Sequence, residues 1–161
     1  MLQARSMTAA AIIEVETPLQ EDVTALLAEA EAVAARLYPA APRRPVTADS
    51  LAGSGIHLLV ARIDGAALGL CAVIERGGGE VELKRLIVAA RARGRGVGTA
   101  LVRGAEAQAR RLGAGRIVLE VGVGNVEARA LYRRAGFAPR GPFPPYRALP
   151  VSLFLERAVA A

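Results

Sequence analysis

Apolar and polar positions change period several times along the chain, and each change marks an element. A short apolar run over residues 11–15 predicts a first strand. Leu19, Val23, Leu26, Ala30, Val33 and Leu37 then recur at helical spacing and predict a helix that buries one face. Thr17, Pro18 and Gln20 predict its start as a capping box with Pro at the first helical position. Pro39, Pro42 and Pro45 end it in a loop, and residues 47–51 suit a helical turn. Residues 56–63 and 67–75 are strand-like and flank Asp64-Gly65, a hairpin turn pair. Gly77-Gly78-Gly79 turns the chain again, and residues 80–88 return as a third strand, which gives an antiparallel meander.

After residue 90 the period changes. Residues 91–98 form a loop rich in Arg and Gly. Leu101, Ala105, Gln108 and Leu112 make the stripe of a second helix, stopped by Gly113. Residues 117–121 are a β-branched strand, and residues 126–135 a third helix ended by Gly136. Two late strands, residues 137–139 and 151–155, are separated by a Pro-rich loop. No repeat or linker interrupts this order. The whole chain, residues 1–161, is expected to fold as one α/β (α+β) domain, with a mixed central sheet flanked by helices.

Composition narrows the function classes. Hydrophobic residues are 53% and charged residues 22%, a globular balance. The single Cys71 excludes an internal disulfide and a cysteine zinc cage; within an apolar run it is expected to be a buried thiol. The single His57 lacks companions for a metal site, and no metal is expected. No apolar stretch is long enough to span a membrane, and no signal peptide is read at the N-terminus, so a cytoplasmic protein is expected. The net charge of +6 favours an anionic partner. A basic nucleic-acid-binding domain would use Arg93, Arg95, Arg110, Arg111, Arg129, Arg133 and Arg134, but the chain lacks a recognisable nucleic-acid module and an aromatic stacking platform, so no nucleic acid is expected.

The sharpest local signal is Arg93-Gly94-Arg95-Gly96-Val97-Gly98-Thr99, between a strand and a helix. A helix start leaves backbone N–H groups unpaired at the positive end of the helix dipole. Glycines let a phosphate approach, and Arg91, Arg93 and Arg95 add charge. A Walker A loop is excluded, since no Gly-Lys-Ser/Thr is present. A dinucleotide fingerprint fails where Leu101 stands in place of the third glycine, although Glu120 does end the next strand.

Arg93-x-x-Gly96-x-Gly98 resembles the R/Q-x-x-G-x-G/A signature of the GNAT superfamily of N-acetyltransferases. The preceding residues 82–88 are similar to that family's central strand, and Asn125-x-x-Ala128-x-x-Leu131-Tyr132-x-x-x-Gly136-Phe137 to its second signature. The resemblance covers about residues 80–140 strongly. It departs where Ala89-Ala90 replaces a proline common after the central strand.

The resemblance implies transfer of an acetyl group from acetyl-CoA to a primary amine of a small-molecule or peptide acceptor. It makes Glu82 the expected base and Tyr132 the acid for the departing thiolate. The backbone N–H of Leu86, near a kink in the central strand, would face the developing oxyanion. Leu86, Ile87 and Val88 would pair with the pantetheine arm; the 93–99 loop would hold the pyrophosphate; Asn125 and Ala128 would complete the cofactor site, with Asn125 also suited to cap its helix. Lys84, Arg85 and Tyr146 are expected at the acceptor, with Glu80, His57 and the 39–47 loop as further lining and Arg43 joining Arg85 on a carboxylate. Two other readings stay open: a GNAT fold that senses acetyl-CoA without catalysis, and a homodimer paired through the late strands.

Overall fold

The structure is a computed structural model that describes residues 10–39 and 46–160. Seven strands and three α-helices follow one another in the order that the pattern predicts: β1 (Ile12–Val15), α1 (Glu21–Leu37), β2 (Ile56–Ile63), β3 (Ala66–Gly77), β4 (Glu80–Val88), α2 (Val97–Arg111), β5 (Arg116–Gly122), α3 (Val126–Arg134), β6 (Ala138–Arg140) and β7 (Ser152–Ala158). One-turn 3-10 helices at Asp49–Leu51 and Ala90–Ala92 join them.

All strands share one sheet, ordered β1-β2-β3-β4-β5-β7-β6. Every pairing is antiparallel except β4 with β5. The Asp64-Gly65 hairpin has both residues at positive φ, 49° and 81°, the demand of a tight two-residue turn whose twist suits its strands. Of the late strands, β7 lies inside the sheet between β5 and β6, so the free edge on that side is the three-residue β6.

The start of α1 differs from expectation. The helix begins at Glu21, about one turn later, with Gln20 at the cap position. Thr17 accepts from the Leu19 N–H at 3.1 Å, and the Gln20 amide donates to the Thr17 carbonyl at 2.8 Å, so the capping-box residues build a turn ahead of the helix. Leu19 is therefore exposed, as is Leu37 at the far end, and Val23, Leu26 and Leu27 carry the buried contact. The Arg62 guanidinium ties this turn to the sheet, pairing with Glu16 at 2.8 Å and Asp22 at 2.9 Å. That hydrogen bonding holds the Glu16 carboxyl below its ordinary range.

Residues paired across an antiparallel ladder point to the same face. Leu59 pairs with Cys71, and Ala61 with Gly69; on that face α2 closes so tightly that a Cβ on Gly69 would lie 2.8 Å from a Val97 methyl. Cys71 is fully buried here, and burial pushes its thiol up to about 12. Ile74 pairs with Glu82 and points to the opposite face, as does Arg62, whose bond to Asp22 brings α1 to that side. A second, smaller core of Val118, Phe143 and Phe154, with Tyr146 against it, packs beside Glu82.

Candidate active site

Two features of β4 shape the site. Lys84 pairs with Ala72 and Ile87 with Leu70, so Arg85 and Leu86 together oppose Cys71 alone. This is a β-bulge, and Arg85 sits in it at φ 59°, a left-handed conformation for a side-chain-bearing residue. The kink expected near Leu86 is therefore present. Before the bulge is reached, β4 and β5 part company. Their parallel ladder covers Glu80–Glu82 against Arg116–Val118 and stops there. From Leu83 to Val88 the β5 side of β4 has no strand partner, which opens a slot through the sheet.

The Gly-rich loop stands at one end of this slot. Gly94 and Gly96 both take φ 76°, and a Cβ on either would meet nothing within 4 Å. They supply the turn and leave open space before it. Gly96 caps the 15-residue α2 with no side-chain cap and no acidic residue in the first turn. The Ala100 N–H opens the helical ladder on the Gly96 carbonyl at 3.0 Å. Among the described residues, the N–H groups of Gly94, Gly96, Val97, Gly98 and Thr99 have no partner. A cradle of free amides at a helix N-terminus suits a pyrophosphate. Arg91, Arg93 and Arg95 ring it, all exposed, with Arg93 3.6 Å from Glu127. Gly98 does something else. A Cβ there would lie 3.0 Å from a Leu131 methyl, so it is the point where α2 and α3 touch.

α3 brings in the second signature. Asn125 caps it by accepting from the Ala128 N–H at 3.3 Å, while its side-chain amide N–H groups have no partner among the described residues. Tyr132 is buried, edge-on to Phe137 at 5.5 Å between ring centroids. Its hydroxyl bonds to no described residue, yet no buried side-chain polar atom lacks a partner among them; the oxygen therefore keeps an opening to solvent. Burial holds its pKa well above the ordinary tyrosine value.

Glu82 is almost fully buried. Its salt-bridge partner is Arg76, at 3.1 Å to Oε1. The Tyr146 hydroxyl donates to Oε2 at 2.6 Å. Both carboxylate oxygens are thus engaged. Tyr146 arrives on the tail after the cis Pro144-Pro145 bond, packed edge-on to Phe143. Its pKa is raised by burial and by its bond to Glu82. Arg76 also donates to the Pro144 carbonyl, fastening the same tail.

Of the other expected acceptor residues, Lys84 reaches the site, its ammonium 5.6 Å from the centre of the Tyr146 ring. His57 does not. It shares the α2 face with Val73, away from Glu82, and bonds Glu75 at 3.0 Å. Glu80 is held by Arg116 at 3.4 Å, at the paired end of β4 rather than the open one. Arg43 lies outside the described residues. Sequence reasoning missed two members. Arg76 gave no signal, because its role depends on a bulged register between β3 and β4. Glu120 did, as the acidic end of β5. Two residues beyond the last β4–β5 pair, it shares the face of Glu82 and makes neither a hydrogen bond nor a salt bridge with a described residue. Burial raises its pKa, with Glu82 adding to the rise and Lys84 and Arg85 opposing it.

Comparison with known proteins agrees with this geometry. The sequence model of the Acetyltransferase (GNAT) family matches residues 23–137. An IAA acetyltransferase of Azospirillum brasilense is 41% identical over 143 residues, covering 88% of this chain and 94% of that protein. Among solved structures, a Klebsiella pneumoniae protein provisionally named acyl-CoA N-acyltransferase superposes with a TM-score of 0.79 at 28% identity, over 93% of this chain and 98% of its own. An IAA acetyltransferase from Bacillus cereus shares the fold, with a TM-score of 0.66 at 20% identity, over 92% of this chain and 99% of its own.

Proposed function

This chain belongs to the GNAT acetyltransferase family, and from that premise we propose that it moves the acetyl group of acetyl-CoA directly onto a primary amine. The observation that carries the reading is the slot between β4 and β5, with free amides at its end. Acetyl-CoA would supply an acetyl thioester, whose carbonyl carbon an amine attacks and whose sulfur leaves as a thiolate. The amides of Gly94 and Gly96–Thr99 would hold its pyrophosphate, with Arg91, Arg93 and Arg95 adding charge. The open side of β4 at Leu86, Ile87 and Val88, with Asn125 and Ala128 across the slot, would take the pantetheine arm as an extra strand.

Two groups divide the proton work. Tyr132 keeps its proton at neutral pH because burial raises its pKa, and its hydroxyl would face the thioester sulfur. It is the acid. An amine is largely protonated at neutral pH and must lose a proton before it attacks. Glu82 is the carboxylate named by the family resemblance, but its oxygens are occupied by Arg76 and Tyr146. Glu120 is exposed, has no bond to a described residue, faces the same side, and has a pKa raised by partial desolvation. We assign Glu120 as the base and Glu82 as the group that positions Tyr146 and the tail. The Leu86 N–H, in the bulge, faces the developing oxyanion.

Thiol release from acetyl-CoA over a panel of amines tests this, with calorimetry for acetyl-CoA itself. Amine-dependent release supports transfer. Tight binding without release from any amine would make the chain a sensor of acetyl-CoA, and absence of binding would refute the reading at its root.

A further inference from the structure

We propose, resting on the acetyl-CoA reading, that α1 is a strut holding the two cofactor-bearing strand ends apart, and that Glu29 and Tyr38 are the positioning residues through which it acts. Past Glu82, β4 and β5 have no ladder between them, so neither strand fixes the other. Each end then leads into a segment assigned to the cofactor: β4 into Ala90 and the 93–99 loop, β5 into the turn before Asn125. α1 is fastened to both. The Glu29 carboxylate accepts from the Ala90 N–H at 2.7 Å. Tyr38, the C-terminal cap of α1, accepts with its hydroxyl from the Gly124 N–H at 2.9 Å.

The local structure is built for these contacts. Val118 pairs with Glu82, so Glu120 and Gly122 continue on the Glu82 face, the side to which the Arg62–Asp22 bond brings α1. Gly122 lacks a side chain where Tyr38 lies. A Cβ there would run into the Tyr38 hydroxyl, and one on Gly124 would lie 3.2 Å from it. Neither glycine has a positive φ, so close approach, rather than backbone conformation, is what asks for glycine at this turn. At the other anchor, Ala90 opens a one-turn 3-10 helix, whose first N–H groups have no partner within the turn itself. The two anchors are nine residues apart on α1, a rise of roughly 14 Å, whereas hydrogen-bonded strands lie about 4.8 Å apart. A helix fastened at both points keeps the parted ends from closing on each other. It thereby fixes the 93–99 amides relative to the Asn125 side chain.

The test combines calorimetry of the full chain with acetyl-CoA and the thermal melt of the ligand-free protein. Glu29→Ala and Tyr38→Phe each remove one acceptor, whereas Glu29→Gln keeps an acceptor oxygen. Each loss should weaken acetyl-CoA binding by about fivefold, the worth of one hydrogen bond, and Glu29→Gln should stay within about twofold of wild type. Releasing either end frees the strut, so the double variant Glu29→Ala/Tyr38→Phe should bind no more than about twofold worse than the weaker-binding single variant. At saturating acetyl-CoA and acceptor, kcat should change by less than about threefold while KM for acetyl-CoA rises. Unchanged affinity in either single variant, with only the ligand-free melt lowered, would make that bond structural and overturn the proposal, leaving the cofactor assignment standing. Losses that multiply in the double variant would overturn it as well, because they would belong to two independent contacts. A wild-type chain that binds no acetyl-CoA would overturn the cofactor reading and this inference together.

Discussion

Tyr132 and Glu120 differ by environment as much as by chemistry, and pH separates them. The working form of Glu120 is ionised, and burial raises its pKa. As the proposed base, Glu120 should make turnover fall as pH drops through its raised pKa, and Glu120→Gln should flatten that acid limb, its defect shrinking as pH rises. The stability sign is opposite. A carboxyl whose folded pKa is raised costs stability once pH exceeds its unfolded value. Glu120→Gln should thus raise the melting temperature near neutrality, with the gain vanishing in acid. The working form of Tyr132 is protonated, so it should produce no alkaline fall within the ordinary tyrosine range. Tyr132→Phe should lower turnover by about 100-fold or more at saturating acceptor, with acetyl-CoA affinity unchanged by calorimetry. Wild-type turnover in that variant, with chemistry rate-limiting, would leave the ring a packing element. Arg76→Met addresses the third group. It strands the nearly buried Glu82 with Tyr146 alone, and urea unfolding should register a loss of about 3 kcal/mol, well beyond that of Glu82→Gln.

Among the elements, α2 carries three glycines with three different jobs, and substitution separates them. Gly96 provides a left-handed cap facing open space. Gly96→Asp should leave the fold largely intact but place a negative charge at the anion cradle, weakening acetyl-CoA binding by tenfold or more, about 1.4 kcal/mol. Wild-type affinity in a folded variant would move the cofactor elsewhere. Gly104 is a spacer. A Cβ there would lie 2.6 Å from an Ile13 methyl of β1. Gly104→Ala gains about 1 kcal/mol of helix propensity but overpacks the contact by about 1–3 kcal/mol. Chemical denaturation should therefore show a net loss, with acetyl-CoA affinity retained. Gly98 spaces α2 from α3, so one signature glycine serves packing while Gly96 faces open space.

At the scale of the molecule, the proposed binding at the slot would join elements far apart in sequence: the 93–99 loop, the open edge of β4 and the start of α3. Acetyl-CoA at 100 times its dissociation constant should stabilise the native state by about 2.7 kcal/mol, a rise of about 5–10 °C in melting temperature for a chain of this size. An unchanged melt at millimolar acetyl-CoA would count against the cofactor assignment. Two arginines that a nucleic-acid track would use make contacts within the protein: Arg110 to Glu106 and the Ala160 carbonyl, and Arg129 to the Val123 carbonyl.

The sequence by itself determined the order and type of the elements, because hydrophobic period, turn glycines and helix stops are local signals. Residues 56–63 and 80–88 are strands over the expected spans, and the Gly96 turn opens α2. It also determined the family, since both signatures are contiguous stretches. Local signals were weaker at α1, where a turn with its own hydrogen bonds imitates a capping box and the helix waits for Glu21. The tertiary structure alone decided which side chains face one another. His57 and Glu82 lie on opposite faces by strand parity set through two ladders. Glu82 is bound by Arg76 and by Tyr146, 64 residues away, whereas Glu120 stands free. A bulge one residue long sets Arg85 and Leu86 together against Cys71. Such choices depend on register, and register is fixed by the packing of the whole sheet rather than by any segment of it.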